Sequence, residues 1–252
     1  MRKLCLILAV AVLLPALACA QSSGNFSYST TGNGDNPIGC TLDSGGNVSG
    51  GFTCVSSCAI DASGNSTCVP QSGQCAGIAV AGIKTSSGNG NVFVVRPSAV
   101  IGLLTDVTVS SKQSGSGNGA VSSSALAGVN FSVSVTGPGT PEVIPNFAIT
   151  YDSRYIQIST NLFQALSSTC LAINGGCFIT FNESTVSAHS FDFIVKNLQS
   201  GTYTVTTNWK DSLGGSGISQ SLACVGPVNV TVQQNKVFSF NTPGGVVPVT
   251  TP

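Results

Sequence analysis

Charged side chains are scarce in this chain, at 7% of its 252 residues, against roughly 25% in ordinary soluble domains. With the basic pair at the N-terminus set aside, seven basic residues face nine acidic ones, a formal charge of −2. No basic patch can neutralise a row of phosphates, so nucleic acid is not an expected partner. Only one histidine exists, His189, and any imidazole chemistry must pass through it. Sustained 3.6-residue apolar periodicity is missing too, apart from one candidate helical turn at Asn161–Leu166, which argues against a helical fold. Past the N-terminus no apolar run is long enough to cross a bilayer as a helix. Solubility must therefore rest on Ser, Thr, Asn and Gly, a composition familiar in secreted adhesins, surface-layer proteins and fibre subunits.

What is present begins with an export pattern. Arg2 and Lys3 precede an apolar run from Leu4 to Leu14, Pro15 breaks it, and Ala18-Cys19-Ala20 offers small residues for cleavage. The expectation is a secretory signal over residues 1–20, with Gln21 as the first mature residue. The run falls short of the ~20 apolar residues of a spanning helix. An uncleaved membrane anchor is one alternative. Lipidation at Cys19 is another, although Ala16-Leu17-Ala18-Cys19 places its leucine one position late for a lipobox.

Removing that signal takes Cys5 and Cys19 away and leaves Cys40, Cys54, Cys58, Cys68, Cys75, Cys170, Cys177 and Cys224. An even set in an exported chain implies a disulfide framework, with too many connectivities for the sequence to choose one. Five of these cysteines precede residue 80 and three follow it. If all pair, at least one bridge must join the two parts. Cys170 and Cys177, around Asn174-Gly175-Gly176, form the expected local pair, which leaves Cys224 as the long-range partner of an N-terminal cysteine. Cys54, Cys58 and Cys68 approach zinc-ligand spacing, but the distant His189 and an oxidising compartment favour disulfides. Six Asn-x-Ser/Thr sites, at Asn25, Asn47, Asn65, Asn130, Asn182 and Asn229, are about what an Asn/Ser/Thr-rich chain produces by chance.

Residues 21–78 are Gly/Ser/Asn-rich and hold five cysteines. We expect a loop-rich segment there, with disulfides replacing a core. Residues 79–240 read as antiparallel strands with period-two alternation. Val129 to Val135 alternates without exception. His189, Phe191, Phe193 and Val195 share a face, as do Tyr203, Val205 and Trp209, and Val228, Val230 and Val232. Further strands are expected at Ile78–Ile83, Val92–Arg96, Leu103–Val109, Phe147–Tyr151, Tyr155–Ser159, Phe178–Asn182 and Val237–Phe240. Ser86–Gly90 fits a hairpin turn, and Gln113–Ser124 a Gly/Ser loop or linker. Gly137-Pro138-Gly139-Thr140-Pro141 should be a loop, because proline cannot join a central ladder. Asn241–Pro252 reads as a Pro/Thr-rich tail. Half-buried strands in this number predict an all-β antiparallel sandwich.

Leu198, Gly201, Tyr203 and Val205 carry a sharper signal. Their spacing resembles the tyrosine-corner segment of immunoglobulin-like and fibronectin-III-like sandwiches. The resemblance implies that the Tyr203 hydroxyl bonds back to upstream backbone. The cysteine of antibody domains is absent, since Val205 stands in its place, so a bacterial-type Ig-like module is the implied relative. That fold hosts many functions and supplies none by itself.

Chemistry is sparse. A Ser–His–Asp arrangement would have to join His189 to Asp192, which the alternation puts on opposite faces, and no Gly-x-Ser-x-Gly elbow occurs. Glu142, Asp152, Glu183 and Asp192 are candidate carboxylates for glycoside hydrolysis but lie on separate segments. Asp61 to Asn65 lacks the alternating acids of a calcium loop. No phosphate-binding loop, cofactor motif or metal set is found. Tyr151, Arg154 and Tyr155 form one candidate ligand site, two aromatics flanking an arginine between strands. Otherwise the tyrosines complete the core edge and Arg154 pairs with Asp152. Trp209 should point inward. The expected protein is a non-catalytic exported structural or adhesion protein of the extracellular space or cell surface, with self-association through sheet edges or binding to surface glycans. A carbohydrate-binding module is the alternative, and a secreted hydrolase a distant third.

Overall fold

A computed structural model describes residues 24–31, 39–60, 65–73, 76–85, 91–110, 122–159 and 177–236. The signal segment, the Asn161–Leu166 turn, the Ser86–Gly90 turn, most of the Gly/Ser run, Val237–Phe240 and the tail lie outside the described residues. So does Cys170, and with it the Cys170–Cys177 pairing.

Among the described residues fifteen strands follow one another: β1 (Phe26–Thr30), β2 (Cys40–Leu42), β3 (Val48–Gly50), β4 (Phe52–Ile60), β5 (Ser66–Gly73), β6 (Gly77–Thr85), β7 (Asn91–Ser110) and β8 (Ser122–Thr136), then β9 (Gly139–Ile144), β10 (Ile149–Ser159), β11 (Phe178–Ser190), β12 (Phe193–Leu198), β13 (Gly201–Asp211), β14 (Gly214–Ser216) and β15 (Ile218–Lys236). All pair antiparallel. The larger sheet runs β5-β4-β15-β7-β12-β9, with β1 also on β15 and β11 also on β7. The smaller runs β10-β8-β13-β6, with β14 on β8. The two sheets enclose one apolar core, so the domain is sandwich-like.

β7 and β15, of 20 and 19 residues, form the spine. Globular strands are usually 3–10 residues long. Sequence alternation suggested two strands, Val92–Arg96 and Leu103–Val109, where one continuous strand runs. The join at Pro97 holds because β15 pairs along the whole length of β7, broken only by a bulge between Val225 and Val228. Odd-numbered residues of β7 face inward. Phe93, Val95, Ile101 and Leu103 meet Ala127, Val129 and Phe131 of β8, Tyr203, Val205 and Trp209 of β13, and Val228, Val230 and Val232 of β15. Trp209 is buried as its strand phase requires, with its ring 5.9 Å from Phe131 and 5.5 Å from Phe52.

The N-terminal region differs from its expected loop-rich character. β4 pairs with β15, β5 pairs with β4, and β1 pairs with β15. Short stretches with few large side chains still form strands, because an existing sheet edge supplies the backbone partners that a core would otherwise justify. The small β2–β3 hairpin lies on the outer face of the large sheet. There Cys40 bonds to Cys224, 184 residues away, and Val48 packs with Leu104 and the bridge. Gly102 makes this docking feasible: a Cβ at that position would meet Val48 Cγ1 at 2.5 Å. Cys58 and Cys68 bridge β4 to β5. Cys54 and Cys177 are disulfide-bonded as well.

Pro141 is a second correction. It lies within β9, not in a loop, because β9 is the sheet's edge and pairs only with β12. Edge strands tolerate a missing N–H. The tyrosine corner is present. The Tyr203 hydroxyl accepts from the Gln199 backbone N–H at 2.7 Å and lies 2.8 Å from the Pro138 carbonyl oxygen. Gly137 lies flat against the ring, leaving no room for a Cβ, which would meet Tyr203 Cδ1 at 2.2 Å. Among the described residues no helix is long and apolar enough to cross a membrane.

Candidate functional site

The three residues expected to share a ligand site go to three places. Tyr151 is buried and stacks on Phe131, with ring centroids 4.1 Å apart. Tyr155 is exposed on the outer face, its hydroxyl 3.2 Å from Gln157 Oε1. Arg154 points between the sheets. Consecutive alternation explains part of this scatter, and a register shift between Thr150 and Asp152 explains the rest.

Tyr151 repairs a gap in the ladder. The registers of β11 and β12 on β7 place Phe191 opposite Pro97. Proline has no N–H to give, so the ladder breaks there. That break is why His189, Phe191, Phe193 and Val195, expected in one strand, fall into two collinear strands. The Tyr151 hydroxyl fills the space, donating to the Pro97 carbonyl at 2.8 Å and accepting from the Phe191 backbone. Burial, chiefly, pushes its ionisation well above the ordinary tyrosine range. A residue held this way serves the core and cannot offer its ring to a ligand.

The polar side chains meet along a seam where β10 and β11 part from the core. β11 contributes Glu183, Thr185, Ser187 and His189; β10 contributes Asp152 and Arg154. Arg154 donates to Thr185 Oγ1 at 3.1 Å and lies 3.7 Å from Glu183, not paired with Asp152 as expected. Its Nη1 is buried without a hydrogen-bond partner. His189 Nε2 lies 3.5 Å from Asp152 Oδ2 and 2.6 Å from Ser187 Oγ. Asp192 turns elsewhere, to a bidentate pair with Arg96 at 2.5 and 2.7 Å. These hydrogen bonds hold the Asp192 carboxyl below the usual carboxylate range.

Ser187, His189 and Asp152 are the residue types of a hydrolytic triad, yet their geometry differs from one. A triad needs the serine on one imidazole nitrogen and the carboxylate on the other. Here both approach Nε2, and Ser187 donates to Asp152 at 3.3 Å. With its hydrogen on Asp152, the serine oxygen can only accept from Nε2, the reverse of activation. Glu142 pairs with Lys196 at 3.0 Å, far along the sheet from Glu183. Sequence reasoning missed the Asp152–His189 contact because the partners are 37 residues apart and meet only across two sheet edges. No group of three or more His, Cys, Asp or Glu residues among those described is arranged to hold a metal ion.

Several Asn-x-Ser/Thr side chains already have work inside the protein. Asn47 donates to Asp43, Asn182 to Asp106, and Asn25 to Gln234 and the Lys84 carbonyl. A glycan at any of these would displace a bond.

Compared with protein-family models, with curated proteins and with solved structures, the chain matches none. Its function must be argued from its own residues.

Proposed function

We propose that this chain is a non-catalytic extracellular protein that serves as a structural or adhesive element. One observation carries the reading. The Cys40–Cys224 bridge ties the N-terminal hairpin to a spine of two long strands whose charged side chains are Arg96, Asp106 and Lys236 alone. Disulfides suit an oxidising compartment, and a stiff uncharged scaffold suits presentation of a surface more than turnover. The tyrosine corner supports an immunoglobulin-like relation, and the export pattern at residues 1–20 supports secretion. The polar seam reads as a latch between two sheet edges, since Arg154 bonds to Thr185 and Ser187 to Asp152 across it and its charges guard strands that would otherwise pair with other chains.

The test is hydrolytic assay of the full chain against ester, peptide and glycoside substrate panels, beside a His189→Ala variant. The expected result is equal background turnover from both. Turnover that His189→Ala abolishes would overturn the reading.

A further inference from the structure

β1 presents two large rings to solvent. Phe26 is 61% and Tyr28 68% exposed, and their centroids are 6.4 Å apart. They are two residues apart on one strand, so both stand on the same face. The ladder fixes what stands beside them. Phe26 lies opposite Gln233, Tyr28 opposite Thr231, and Thr30 opposite Asn229. The next strand places Arg96 opposite Thr231. Val230 and Val232 face the core, so this row of amides and hydroxyls faces outward with the rings.

Exposed rings in a chain this polar call for an occupant. Anions find no free cation, because Arg96 is committed to Asp192. An anionic lipid surface would need basic residues to pair with, and Arg96 on this face is already taken. A second copy of the chain would need about 800 Å² of complementary surface per partner, whereas the Phe26 row passes through Gln233 to the half-buried Val94 and Ile194 and reaches an exposed apolar side chain, Ile144, only at the far edge of the sheet. A neutral, polyhydroxylated chain fits both parts. Its C–H faces lie on the rings, and its hydroxyls reach Gln233, Thr231 and Asn229. We propose that this outer face of β1 and β15 binds an uncharged polysaccharide, with Phe26 and Tyr28 as the stacking platform. The proposal rests on the adhesive reading above and names its ligand class.

The experiment is depletion of the full chain from solution by microcrystalline cellulose, chitin and starch granules. Wild type is compared with Phe26→Ala/Tyr28→Ala, with Phe26→Tyr/Tyr28→Trp and with Tyr155→Ala. At least one polysaccharide should bind wild type. The double alanine variant should lose roughly ten-fold or more in affinity with an unchanged melting temperature. The ring-preserving variant and Tyr155→Ala should bind as wild type does. Equal binding by the double alanine variant would overturn the proposal. So would failure of wild type to bind any of the three, or ring-dependent binding to phosphatidylcholine vesicles, or a concentration-dependent dimer that the alanine variant loses. Release of soluble sugar from the bound polysaccharide would instead overturn the non-catalytic reading and leave the platform standing.

Discussion

The two ends of the β7–β15 spine are held by different physics. Around Phe93 and Val230 the strands are clasped between sheets, and burial of large side chains does the holding. Phe93 meets Tyr203 edge-on at 5.4 Å, and Phe131 stacks between Tyr151 and Trp209. Around Leu104 and Cys224 the outer face carries only a small cluster, closed by a hairpin and a covalent bridge. The first end resists unfolding through volume alone, and the second adds connectivity to the inward-facing Ile101, Leu103 and Val225. A region with small side chains can be as well ordered as one with large ones if the unfolded chain is constrained instead.

Four substitutions test that contrast. Phe93→Ala removes a fully buried ring from the first end and should destabilise by about 3–5 kcal/mol, read by denaturant unfolding under oxidising conditions. Replacing both Cys40 and Cys224 by Ser should cost about 2–5 kcal/mol. The contrast predicts that reductant erases the difference between this variant and wild type but leaves the Phe93→Ala difference in place. Tyr151→Phe strips the hydroxyl that spans Pro97 and Phe191, leaving the buried Pro97 carbonyl and the Phe191 N–H without that partner. A loss of about 1–3 kcal/mol is expected, with faster amide exchange at Phe191 and no change at the clasp. The smallest effect belongs to Asp192. Its carboxyl is held low by Arg96, so the pair's contribution is present above the ordinary carboxylate range. It fades as the pH falls through the depressed folded value. Asp192→Asn should flatten the acid limb of the stability profile slightly, since the pair is exposed and screened. An unaltered acid limb would remove that pair from the account.

The first end was legible in the sequence and the second only in part. Alternation placed Val129–Val135, Tyr203–Trp209 and Val228–Val232 correctly, because one-sided burial writes a period of two into a strand. The tyrosine corner was visible because its residues are close in sequence. The bridge at the second end left a coarser trace: the cysteine split called for Cys224 to reach an N-terminal cysteine, and it bonds Cys40. Gly102 reads as a weak strand residue until Val48 is seen against it, and Cys40 could have paired with several partners. The seam was equally hidden. Asp152 and His189 meet through sheet edges, and Pro97 sets the ladder gap that sends Tyr151 inward. Alternation reports which way a side chain points relative to its own sheet. It does not report what the facing sheet brings there.

The pairing of β1 with β15 has a mechanical consequence. Because Phe26 lies opposite Gln233 and Thr30 opposite Asn229, both strands leave this end of the ladder together. A pull applied at residues 25 and 236 therefore opens the ladder like a zipper, one pair of bonds at a time, instead of loading all five pairs in shear. That peeling frees β1 and the chain that leads from it to residue 40, while β15 stays paired with β7. It stops at Cys40, which is joined to Cys224 by a covalent bond. Under tension the chain would lengthen at low force and then stiffen abruptly, with the force carried through the disulfide into β15.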